Sequence, residues 1–118
     1  MALTKQLGAL RASIGVGAWA APDTTGKLFG LDPVGNPQAS YLARLFGIRD
    51  IALAAGTLST EGASQKLWLQ LGIACDVADA AAGVLAGRKG VLPAWSAILV
   101  TATAVSAAAL GFLALREE

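Results

Sequence analysis

The sequence predicts an all-α fold: a four-helix transmembrane bundle with both termini on the same side of the membrane. Three observations predict it. Of the 118 residues, 55% are hydrophobic and only 14% are charged, with a mean hydropathy of +0.60. The stretch from Val91 to Leu115 contains no charged residue. Three further segments have near-spanning length and are separated by connections rich in Gly, Pro or charge. A water-soluble domain carries roughly a quarter charged residues to solvate its surface, and this chain falls well short. Its length accommodates a single domain, residues 1–118.

The first expected span runs from Leu3 to Ala21, with Lys5 near its start, Arg11 inside it, and Pro22-Asp23 closing it. A rival reading makes it a signal peptide with Ala18-Trp19-Ala20 as the cleavage site. The apolar run from Ala12 to Gly17 is short and glycine-containing for that role. Pro22 to Ser40 follows as one long loop punctuated by Gly26, Gly30, Pro33, Gly35 and Pro37. Within it, Lys27 to Leu31 suits a position in the membrane interface. Tyr41 to Leu58 is the second span and contains Arg44, Arg49 and Asp50. Leu67 to Gly87 is the third, interrupted by Asp76 and Asp79 and bounded by Lys66 and by Arg88-Lys89-Gly90.

Val91 to Leu115 is the fourth span. It exceeds the roughly 20 residues that a bilayer crossing requires, and Pro93 sits in its first turn, where a missing N–H costs nothing. Trp19, Tyr41, Trp68 and Trp95 each fall near an end of an expected span, where amphipathic rings prefer to sit. A soluble, Ala-rich bundle is the other rival, against which the uncharged fourth span argues. Lys5, Lys66 and Arg116 on one face match Lys27, Arg88 and Lys89 on the other, so charge gives no orientation.

Several chemistries are excluded. With no histidine, imidazole metal ligands and Ser-His or Cys-His dyads are absent. Cys75 is the single cysteine, so no intrachain disulfide forms. A net charge of +1 without a basic stripe gives no reason to expect nucleic acid. No cofactor and no metal are expected. Asp76-x-x-Asp79 is similar to the carboxylate pairs of membrane prenyl and phosphatidyl transferases, but the second acidic motif of those families is missing.

Depth singles out the charged residues. Arg11 stands roughly 11 Å from its membrane face, and Asp76, Arg49 and Asp50 roughly 14 Å from theirs. Asp79 is one turn deeper than Asp76. In a core ~30 Å thick these five share one central layer, while Arg44 is close enough to a face to reach outward. An isolated charge at that depth costs at least ~2.5 kcal/mol, which mutual pairing relieves. Three Arg balance three Asp. Asp76, Asp79 and Asp50 are therefore the candidate catalytic residues, and Arg11, Arg44 and Arg49 the candidate binding residues. Two carboxyls one turn apart repel each other, which would suit general acid chemistry unless an Arg intervenes.

Helical spacing places Gly72, Asp76, Asp79 and Gly83 on one stripe, as it does Gly8, Arg11, Gly15 and Ala18. Arg49, Ala52 and Gly56 make a third. Small neighbours let helices approach closely in lipid, so the charges are expected to face other helices. Ser96, Thr103 and Ser106 are expected to add hydroxyls to the same interior.

At Arg44-Leu45-Phe46-Gly47-Ile48-Arg49-Asp50, followed by Ala54-Ala55-Gly56, and at Asp76-x-x-Asp79, the chain resembles small bacterial four-helix membrane proteins of the DoxX-like type. The resemblance implies a membrane bundle in the bacterial cell membrane and no particular activity. Three function classes follow. The first is a non-catalytic accessory or self-associating subunit, whose partners are the bilayer and a homo-oligomer or membrane partner protein. The second is a membrane-embedded acid–base enzyme (isomerase, cyclase or epoxide-opening) on a lipophilic small molecule. The third is proton-coupled or ion transport.

Overall fold

The computed structural model describes residues 2–118, and it is 85% helical with no strand among them. Five helices follow one another: α1 (Ala2–Ala20), α2 (Pro22–Leu28), α3 (Gln38–Ser59), α4 (Gly62–Arg88) and α5 (Ala94–Glu117). Four are long. The fifth, α2, lies in what the sequence suggests is a loop. Pro22 begins it with a preset φ and Asp23 complements its first turn.

Two glycines end helices in the same way. Gly30 (φ +83°) donates to the Lys27 carbonyl while Leu31 donates to that of Gly26, which closes α2. Gly90 (φ +72°) donates to Gly87 while Val91 donates to Ala86, which closes α4. Both are Schellman turns, whose left-handed residue lacks the Cβ that would clash. Gly30 is constrained a second time, because a Cβ on it would stand 2.6 Å from the Trp95 ring. Ser96, fully buried, donates to the Phe29 carbonyl at 2.6 Å and ties this turn to the start of α5.

The long helices associate most extensively as two antiparallel pairs, α1 with α3 and α4 with α5. Backbones nearly touch where Gly15 meets Gly47: a Cβ on either would lie 2.7 Å from the carbonyl oxygen of the other. Ile73 fills the space left by Gly111 in the second pair. The two pairs meet along α3/α4 and α1/α5, with Leu7, Leu69 and Ala114 forming a common apolar cluster. Leu3 N–H and the Thr4 hydroxyl donate to the carboxylates of Glu117 and Glu118, so α1 begins where α5 ends. The body measures 45 × 28 × 17 Å, its long dimension matching helices of up to 27 residues.

Its interior is built from small residues. Seven of the eleven buried hydrophobic residues are alanine, while 23 large hydrophobic side chains among the described residues are exposed. Trp19, Tyr41 and Trp95 are exposed near helix ends. Trp68 is not at an end: α4 begins at Gly62, earlier than the sequence suggests, and places the indole more than a turn inside, over Gly56. By length and composition α4 and α5 are the two helices able to cross a membrane. α1 carries Lys5 and Arg11, and α3 carries Arg44, Arg49 and Asp50.

Candidate functional site

The charged cluster forms between the two helix pairs. α1 and α3 contribute the arginines, and α4 contributes two aspartates one turn apart. Arg11 reaches from α1 to Asp76, with Nη1 donating to Oδ1 at 3.0 Å and Nη2 to Oδ2 at 2.6 Å. Arg49 reaches from α3 to Asp79 in the same manner, at 3.1 and 2.5 Å. Both are planar, two-pronged contacts in which each guanidinium matches a whole carboxylate. They staple α1 and α3 to α4. An Arg therefore does intervene at each carboxylate of the Asp76/Asp79 pair, and the repulsion that would suit general acid chemistry is relieved on both sides.

Surroundings differ between the two pairs. Arg11 and Asp76 are enclosed, with 7% and 6% of their side chains exposed. Gly72 makes room for them, since a Cβ there would stand 2.8 Å from the Arg11 Nη2. Arg49 and Asp79 are 35% and 31% exposed, at the outer edge of the α3/α4 seam. Arg49 also lies over the Phe46 ring, 4.8 Å from its centre. Its Nε is shielded and meets no acceptor among the described residues.

Asp50 belongs to the cluster by position rather than by a hydrogen bond. It is 4% exposed, and the nearest guanidinium nitrogen is Arg11 Nη1 at 3.8 Å. Arg44 does not join. It is exposed at the far end of α3, where its Nε donates to the Trp19 carbonyl and helps cap α1. The expected balance of three Arg against three Asp is thus two against three, because Arg44 is needed where α1 ends.

Two further expectations are corrected. On α1 the stripe Gly8, Arg11, Gly15, Ala18 is buried as its spacing suggests. On α3 the buried stripe is Gly47, Asp50, Leu53, Ala54, Gly56 and Thr57, so of the expected Arg49, Ala52 and Gly56 only Gly56 is buried, while Ala52 faces outward and Arg49 sits at the boundary. The hydroxyls expected in the cluster are elsewhere. Ser96 bonds to Phe29, Thr103 bonds back to the Leu99 carbonyl, and Ser106 is exposed.

Two clefts are open at the ends of the bundle, of about 440 and 820 Å³. Asp23, Ser40 and Arg44 line the first, and Lys5, Gln65 and Glu118 the second. Neither reaches Arg11, Arg49 or the three central aspartates. Among the described residues no three His, Cys, Asp or Glu side chains are grouped to hold a metal ion. The site defines a class, an all-α protein with inter-helical Arg–Asp staples in a small-residue interior. No family model, curated protein or solved structure matches the chain.

Proposed function

We propose that this chain is a four-span protein of the bacterial cell membrane that acts without catalysis, as an accessory or self-associating subunit. The observation that carries the reading is the inverted distribution of side chains. Large apolar groups cover the outside, while alanine, glycine and paired charges fill the inside. In water an exposed apolar surface on this scale would drive aggregation. In hydrocarbon it is the expected solvent-facing surface, and small residues are what helices use to pack there. The forked pairs then act as a lock selecting which helices associate, and both oxygens of Asp76 and Asp79 are committed to arginine. The resemblance to the DoxX-like group supports the same architecture and brings no activity with it.

Acid–base catalysis on a lipophilic substrate would use Asp76 or Asp79 as the acid or base, and both oxygens of each are held by an arginine. Proton-coupled transport is the alternative with an observation in its favour: Asp50 is buried and lacks a forked partner. The membrane assignment predicts that the chain stays with membranes through carbonate and high-salt washing. Appearance in the soluble fraction without detergent would sink it. The non-catalytic assignment predicts that a folded Arg11→Met/Asp76→Leu variant complements deletion of the chromosomal copy. A folded variant that fails to complement overturns that assignment in favour of a chemical role.

A further inference from the structure

Arg49 and Asp79 lie midway along the bundle, yet at its edge in cross-section. Arg49 stands roughly 15 Å from either end of α3, and Asp79 roughly 14 Å from the end of α4. About a third of each side chain is nevertheless uncovered. If the helices span a bilayer as proposed above, the reading on which this inference rests, that exposed third faces hydrocarbon. At such depth neither group reaches the headgroups along its own stem. Cover has to come from a polar surface at the same level.

We propose that the cover is a second copy of this chain, docked through the α3/α4 face so that Arg49 of each copy meets Asp79 of the other. Identical chains inserted in the same sense are related by a two-fold axis along the membrane normal. That rotation preserves depth and reverses every direction in the membrane plane. Arg49 and Asp79 sit side by side on antiparallel neighbours, joined by their forked contact. The pair therefore points along the plane, and rotation sets each guanidinium opposite a carboxylate. Two ion pairs become one ring of four alternating charges. Another partner would have to bring a matched Asp and Arg to this depth, whereas a second copy has them already. Of the neighbouring exposed residues, Ala52, Ala78 and Ala82 are small and leave room for a second copy beside the Arg49–Asp79 pair, while the exposed Phe46 ring next to Arg49 supplies apolar contact at its flank.

The test uses the full chain in membranes, expressed as two differently tagged copies that both carry Cys75→Ser. One copy adds Phe46→Cys and the other Ala82→Cys, positions at matching depth across the contact. Each chain then holds one thiol, so only an intermolecular disulfide forms. Oxidation of the vesicles is expected to join the two tags, and not to join them when Val105→Cys on α5 replaces Ala82→Cys. No product, or as much product with Val105→Cys, overturns the proposal. A second arm pairs Arg49→Asp in one copy with Asp79→Arg in the other. Opposite charges across the interface should make the mixed pair co-purify on the order of tenfold or more better than either variant with itself, and equal recovery overturns the proposal. Release of the chain by carbonate would overturn the membrane reading, whereas a membrane-held chain that never cross-links overturns only the dimer.

Discussion

Arg11 and Arg49 make the same forked contact in different surroundings, and the difference sets what each is worth. Arg11→Met leaves Asp76 buried alone and also removes the nearest cation from Asp50. Breaking a buried pair commonly costs ~3–5 kcal/mol, so thermal melting in detergent should show a large fall. Arg11→Met with Asp76→Leu should recover part of that loss, and adding Asp50→Asn should recover more, because Asp50 is otherwise left buried without its nearest cation. If Asp50→Asn brings no gain in the double variant, Asp50 does not sense Arg11 across 3.8 Å. Arg49→Met should cost less in detergent than Arg11→Met, since a third of its pair is already exposed. The reverse order of melting temperatures would mean that the outer pair is the covered one in solution.

At the scale of the elements, the closest approach is between α1 and α3, and it depends on two glycines. Gly47→Val would drive a side chain into the Gly15 carbonyl and the Trp19 amide, both backbone groups that cannot swing aside. Overpacking of this kind typically costs roughly 1–3 kcal/mol. Gly62→Ala, where a Cβ would meet open space, should cost less and act only through its left-handed φ. Comparable losses at both positions, read by melting, would show that α1 and α3 are not packed backbone to backbone. The α2 turn supplies a second check. Ser96→Ala removes the hydroxyl that holds the Phe29 carbonyl, a loss of about 1 kcal/mol. It should raise amide exchange at Gly30 and Leu31 while leaving α3 unchanged.

Across the whole molecule, α1 and α5 have opposite directions and their outer ends are joined by Thr4–Glu118. An even number of crossings follows if all four long helices span. Reporters fused at the two termini should then report one compartment, and a reporter inserted at Gly35, in the connection between α2 and α3, should report the other. Termini in opposite compartments would mean that one long helix lies along the membrane or outside it. The candidates for that are α1 and α3, whose charges are tolerable in hydrocarbon only once α4 supplies the aspartates.

Much of this was legible in residue order. Composition and the uncharged run of α5 determined an all-helical chain, and 3.6-residue spacing determined that Gly8, Arg11, Gly15 and Ala18 share α1's buried face. The nearness of charges to one central layer followed from rise per residue alone. Pairing did not follow, because rise says how deep a charge lies and not which way its helix is turned. Arg49 and Asp50 are adjacent in sequence and about 100° apart around α3, so only packing against α1 and α4 decided that Asp50 faces inward and Arg49 toward the edge. Likewise, Arg44 is an equal member of the charge count in one dimension. It leaves the cluster in three, because the unpaired carbonyl at the end of α1 lies within its reach and the central carboxylates do not.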